Sequence, residues 1–160
     1  MEGRTFEKEL NHLLVSTFRT IEKQEQKRIS KEGAVRLSSA EIHLLEAVGR
    51  GRGPKTISAL AERLSITVAS VTVGVNKLVK KEILQKTRSQ KDGRVIYVTL
   101  TPKGKQVYRL HEKFHLKMAE YVSAGLTKEE KVIMLRGIRK LRDFFAAEQE
   151  NKVSAVGNKK

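Results

Sequence analysis

Thr67-Val68-Ala69-Ser70-Val71-Thr72-Val73-Gly74-Val75-Asn76-Lys77-Leu78-Val79-Lys80-Lys81 is the stretch whose periodicity orders the rest of the chain. Val71, Val75, Leu78 and Val79 recur at i, i+4, i+7 and i+8, the spacing of one face of a helix with 3.6 residues per turn. Thr67 is suited to the N-cap, where a hydroxyl accepts from an otherwise unpaired backbone N–H. The pattern predicts a helix over residues 68–81. With its valines and leucine inward, Ala69, Ser70, Thr72, Val73, Asn76, Lys77 and Lys80 are left outward.

Working upstream, Ile57, Leu60, Ala61 and Leu64 predict a helix beginning near Thr56, and Ser65-Ile66 breaks the register over a very short turn. Before it, Ser38 and Glu41 form a capping box, in which each side chain accepts from the other residue's backbone N–H. Ile42, Leu45 and Val48 then give a buried face, and Gly49 stops the helix. Gly49-Arg50-Gly51-Arg52-Gly53-Pro54 is expected to be a loop. Downstream, residues 84–89 and 94–101 alternate as strands, with Ile96, Val98 and Leu100 on one face. Gln90-Lys91-Asp92-Gly93 is the hairpin tip, Asp-Gly supplying the turn. Pro102, with no N–H to donate, ends the second strand.

Longer helices flank this block. Phe6, Leu10, Leu13, Leu14, Phe18 and Ile21 mark an amphipathic helix over about residues 5–29. Val107, Leu110, His111, Phe114, Met118 and Val122 share a face of a helix over about 102–123, closed by Gly125. A second capping box, Thr127 to Glu130, opens a last helix with Ile133, Met134, Ile138, Leu141 and Phe145 inward. The terminal stripes have no obvious partner in so small a central domain, which predicts a homodimer. The expected domains are a dimerisation helix (1–36), a central domain (37–101), dimerisation helices (102–150) and a structureless tail (151–160).

Composition narrows the function classes. Lys and Arg number 33 against 18 Asp and Glu, a formal net charge of +15. Such an excess attracts polyanions, nucleic acid first and an anionic membrane surface second. Five Phe, three Tyr and no Trp leave few stacking platforms, which favours duplex DNA over single strands. Cysteine is absent, so disulfides and thiol chemistry are excluded. No apolar run long enough for a membrane span and no secretory leader is found, and a cytoplasmic location is the expectation.

Helix, helix, short turn, helix and two-stranded hairpin is the order of a winged helix-turn-helix, a mainly α fold with a small β wing. A helix about 10–12 Å across fits a major groove about 12 Å wide. Thr67, Val68, Ala69, Ser70, Thr72, Val73, Asn76 and Lys77 are the candidate groove contacts. Ser and Thr hydroxyls bond base edges, Val73 suits a thymine methyl, and Lys77 and Lys80 suit phosphates. The wing adds Lys86, Arg88, Lys91 and Arg94, with Arg88, Lys91 and Arg94 as candidate contacts. Asp92 is expected to hold an arginine or to cap the turn. The competing interpretation is a solvated polar helix face and a solubilising hairpin; the hydroxyl cluster followed by a basic hairpin outweighs it.

The run from Ile66 to Thr72, Leu78-Val79-Lys80-Lys81, Arg88-Ser89-Gln90-Lys91-Asp92-Gly93-Arg94 and Leu100-Thr101-Pro102-Lys103-Gly104 together resemble the MarR family of bacterial transcriptional regulators. The resemblance covers nearly the whole chain and implies a homodimeric repressor on a palindromic operator. Two positions depart from it. Gly93 stands where the family usually has Arg, and Glu82 stands where it usually has Gly after the recognition helix. Within the family, residues 108–115 and 125–130 are similar to repressors of type II fatty-acid synthesis. That similarity implies acyl chains on acyl carrier protein as corepressor.

No catalytic constellation is found, and no enzyme activity is expected. Gly49, Gly51 and Gly53 do not match a phosphate loop. His111 and His115 sit four residues apart with Glu112 nearby, but a zinc site needs further ligands and only His12 and His43 remain among the histidines, so no metal and no cofactor are expected. Such a pair could also sense pH or line a ligand cleft. The alternatives are an architectural DNA-binding protein with weak sequence preference, a regulator answering to a small aromatic or lipophilic ligand, and a protein–protein adaptor on the same fold.

Overall fold

Both expected capping boxes form. Ser38 Oγ accepts from Glu41 N–H while Glu41 Oε2 accepts from Ser38 N–H at 2.8 Å, and Thr127 and Glu130 repeat the exchange. The computed structural model describes residues 3–157, and the side chains of residues 5–147. The elements are α1 (Gly3–Glu32), α2 (Ser39–Gly49), β1 (Lys55–Thr56), α3 (Ile57–Leu64), α4 (Val68–Lys80), β2 (Leu84–Arg88), β3 (Ile96–Leu100), α5 (Pro102–Ser123) and α6 (Lys128–Gly157). They fall into two compact units, residues 1–116 and 117–160.

In the first unit the core gathers round α2. Ile42, Leu44, Leu45, Ala47 and Val48 are buried with Leu60, Val71, Val75, Leu78, Ile83, Leu84, Val98, Val107 and Ile29. Val71, Val75 and Leu78 are fully enclosed, as the spacing requires, and Val79 is half-buried. Only the C-terminal part of α1 joins this core, through Ile29. Phe6, Leu10, Leu13 and Phe18 remain 43% to 61% exposed.

The sheet has three strands, not the two expected, in the order β1-β3-β2. β1 pairs Lys55 with Val98 and Thr56 with Tyr97. A two-residue strand has no period to detect, so the sequence pattern merged it with the preceding loop. β2 and β3 pair antiparallel from Leu84 opposite Leu100 to Arg88 opposite Ile96.

The ends of α4 determine how it is presented. Ser65, in the left-handed conformation (φ 52°), closes α3, and Thr67 caps α4 two residues on. At the other end Glu82 N–H bonds the Val79 carbonyl and Ile83 N–H bonds the Leu78 carbonyl, both at 2.9 Å. This is the paired closure usually built on glycine, and Glu82 adopts the left-handed conformation (φ 60°) to make it. The departure from the family's glycine therefore leaves the helix ending unchanged.

Thr101 starts α5 by accepting from Gly104 N–H through its hydroxyl and from Lys105 N–H through its carbonyl. The same hydroxyl donates to the Glu82 carbonyl at 2.6 Å. Gly104 is packed directly on the Ile83 carbonyl, leaving no space for a Cβ. The run Leu-Thr-Pro-Lys-Gly is thus a cap, a first-turn proline and a close backbone approach.

In the second unit α6 continues to Gly157, so residues 151–157 are helical where a structureless tail was expected; residues 158–160 lie outside the described residues. Ile133, Met134, Ile138 and Phe145, expected to face inward, are 39% to 63% exposed. Periodicity shows which stripe seeks cover but not whether its cover comes from the same protomer. Among the described residues no single helix is long and apolar enough to cross a membrane.

Candidate nucleic-acid interface

Every predicted contact on α4 is exposed: Thr67, Val68, Ala69, Ser70, Thr72, Val73, Asn76 and Lys77. Burying Val71, Val75 and Leu78 in the core forces this, because side chains a third of a turn away must point outward. Val68 and Val73, apolar yet 52% and 54% exposed, leave about half of their surface uncovered by the protomer. The hydroxyls are pre-arranged. Thr67 Oγ1 accepts from Ser70 N–H at 3.1 Å and shares a 2.8 Å hydrogen bond with Ser70 Oγ. Thr72 Oγ1 donates to the Val68 carbonyl at 2.8 Å.

The wing stands beside this helix and is tied to it. Lys86 Nζ on β2 donates to Asn76 Oδ1 on α4 at 2.8 Å. At the tip, Ser89 Oγ accepts from the N–H groups of Lys91 and Asp92, and Asp92 Oδ1 accepts from Arg94 N–H at 3.0 Å. Asp92 therefore caps the turn rather than pairing with an arginine side chain. Gly93 is not among the glycines of positive φ, so the turn is not the left-handed Asp-Gly type expected from the dipeptide. Arg88, Lys91 and Arg94 are exposed, and no described ion pair uses them. The wing that carries these three exposed cations is thus joined to the hydroxyl-lined helix through the Lys86–Asn76 bond.

A second cluster lies where α1 meets α5. His111 Nδ1 and His115 Nε2 approach the same oxygen, Glu25 Oε1, at 2.5 Å and 2.9 Å. The side chains of Glu25 and His111 are only 8% and 11% exposed. Burial pushes the Glu25 carboxyl up, but hydrogen bonds and charge from the two histidines outweigh it and hold the group below its ordinary value. The three ligand atoms lie within 4.8 Å of one another. Two imidazole nitrogens and a carboxylate oxygen are the donor set of an open zinc site. The histidine pair was legible from its spacing. Its third member was missed because Glu25 lies 86 residues from His111 in sequence.

Residues 37–95 match the MarR family model, a stretch that runs from just before α2 through β2 and the wing tip and ends before β3. Transcriptional regulator ZitR of Lactococcus lactis is 30% identical over 117 residues, 71% of this chain and 79% of that protein. The chain belongs to the MarR family. A MarR-family architecture accounts for both the winged unit and the long flanking helices. The HTH-type transcriptional regulator PchR of Bacillus subtilis is 29% identical over 111 residues; the matched region spans 68% of this chain and 65% of PchR. A crystal structure of Streptococcus pneumoniae FabT in complex with DNA superimposes with a TM-score of 0.76 at 30% identity, covering 88% of this chain and 97% of that one.

Proposed function

We propose that this MarR-family chain is a sequence-specific regulator of transcription, a repressor that binds a palindromic operator in double-stranded DNA as a homodimer. One observation carries it: α4 turns its hydroxyl-rich, partly apolar face outward, joined to a wing whose exposed Arg88, Lys91 and Arg94 enter no ion pair among the described residues. Base edges are read by such side chains, and phosphates by such cations. The apolar residues left uncovered on α1 and on α6 support a self-complementary partner, and a two-fold dimer presents two copies of α4 to half-sites about one helical turn apart. Selecting bound sequences from random duplex DNA tests this. A palindromic consensus with that spacing is expected; weak, unspaced preferences would indicate an architectural protein instead.

Control of fatty-acid synthesis genes, with acyl chains on acyl carrier protein as corepressor, is supported by the likeness to FabT and by residues 108–115. Any effector acts by preferring one separation of the two DNA-reading heads, which strengthens or releases binding by linkage. A second effector is favoured by a specific observation, the Glu25–His111–His115 cluster. A divalent cation there would replace the ring protons that now meet Glu25 and would fix α1 against α5. Operator binding measured with long-chain acyl carrier protein, with zinc and with a chelator separates the two. A response to zinc lost in His115→Ala supports the metal; a response to the acyl protein alone supports the corepressor.

A further inference from the structure

The contact between Asn76 and Lys86 has a defined polarity. An ammonium has three donors and no acceptor, so the Asn76 atom facing it is the carbonyl oxygen. The 2.8 Å bond between them joins the third turn of α4 to the wing. It leaves Asn76 Nδ2 with two protons that no described hydrogen bond uses, and Lys86 Nζ with two more. Both residues are exposed. The pair therefore presents four free donor protons against one remaining lone pair on Asn76 Oδ1, which lies beside the ammonium's charge. A base amino group approaching Asn76 Oδ1 must share that oxygen with the ammonium and meets its positive charge, whereas a base acceptor approaching Nδ2 meets no competitor. One turn earlier on the same stripe, Thr72 has given its hydroxyl proton to the Val68 carbonyl, so it offers lone pairs. Acceptor at Thr72 and donors at Asn76 is a polarity set before any DNA arrives.

We propose that Asn76 is a specificity-determining residue and Lys86 its positioning residue, together forming a donor-rich element that selects guanine at one position of each half-site. Guanine shows two acceptors, N7 and O6, in the major groove. Adenine shows an acceptor and a donor, the combination an unrestrained asparagine matches with both amide atoms. Lys86 weakens the adenine match by taking one lone pair of the Asn76 carbonyl and placing its positive charge beside the other. This rests on the assignment of α4 to the groove.

The test is selection from random duplexes with the full chain as wild type, Lys86→Met, Asn76→Ala and Asn76→Asp, with salt dependence measured on fixed duplexes. Circular dichroism checks that each variant is folded, which the exposure of both side chains favours. Wild type is expected to recover guanine at one position per half-site, preferred over adenine by about ten-fold or more. Lys86→Met is expected to admit adenine at that position alone, reducing the preference to a few-fold. Asn76→Ala is expected to erase it, and Asn76→Asp to turn it toward bases offering an amino group. A Lys86→Met variant that weakens all sequences equally and only flattens the salt dependence, by about one charge per half-site, makes Lys86 a phosphate contact and overturns the proposal. So does an Asn76→Ala consensus identical to wild type. If Thr72→Ala and Arg94→Ala weaken binding while both of those results hold, α4 remains in the groove and only the donor pair fails. If no substitution on α4 changes affinity, the assignment of α4 fails as well.

Discussion

Lys81, the residue that caps α4, closes on Glu41 in the first turn of α2, its Nζ 2.7 Å and 2.8 Å from the two carboxylate oxygens and 2.8 Å from the Arg36 carbonyl. Glu41 is buried and also accepts from Ser38 N–H, so one carboxylate fixes the start of α2 to the end of α4. Burial raises its pKa, but the bonds and charge of Lys81 and Ser38 prevail, and the carboxyl lies below its ordinary value of 4.5. A group whose folded pKa is depressed contributes stability above its unfolded pKa and loses it as pH falls through the folded one. Urea unfolding midpoints should therefore fall below about pH 4.5, and less steeply in Glu41→Gln. Lys81→Met should cost about 1–2 kcal/mol at pH 7, a figure below that of a fully buried pair because the lysine is partly exposed.

Gly104 faces the Ile83 carbonyl with no space for a Cβ. Gly104→Ala must push the first turn of α5 away from the wing base and strain the Thr101 cap. A loss of about 3 kcal/mol is expected by chemical denaturation. Gly137→Ala, at a helical position open to solvent, serves as the control and should stabilise slightly.

Glu82 holds a left-handed backbone that costs a side-chain-bearing residue about 1–2 kcal/mol. Glycine removes that strain but adds freedom to the unfolded chain, about 0.4–1 kcal/mol in the other direction. The net expectation for Glu82→Gly is a gain of about 0.5–1 kcal/mol, measured by thermal or urea unfolding. Its exposed ion pair with Lys103, at 3.6 Å, is too solvated to reverse the sign.

Gly93 has no backbone need for glycine, and a Cβ there would meet only Arg88 Cδ at 3.8 Å. Gly93→Arg restores the side chain usual at this position of the family and adds a cation to each wing tip. DNA affinity should rise at low salt, with the salt dependence steeper by about one charge per half-site. An unchanged slope, read from binding isotherms at several salt concentrations, would place the wing tip away from phosphate.

The local code was sufficient for much of this molecule. Valine and leucine spacing fixed which face of residues 68–81 goes inward, and the serine and threonine caps set where helices begin, because both act over three or four residues. Relations that depend on distant parts of the chain were decided only by the fold. Pairing of Lys55 and Thr56 with β3 needs a partner some forty residues away, so no local period records it. Glu25 reached His111 and His115, and Lys86 reached Asn76, only when separate elements were packed together. The exposed stripes of α1 and α6 mark the opposite case: their periodicity demands burial, and the protomer alone does not supply it.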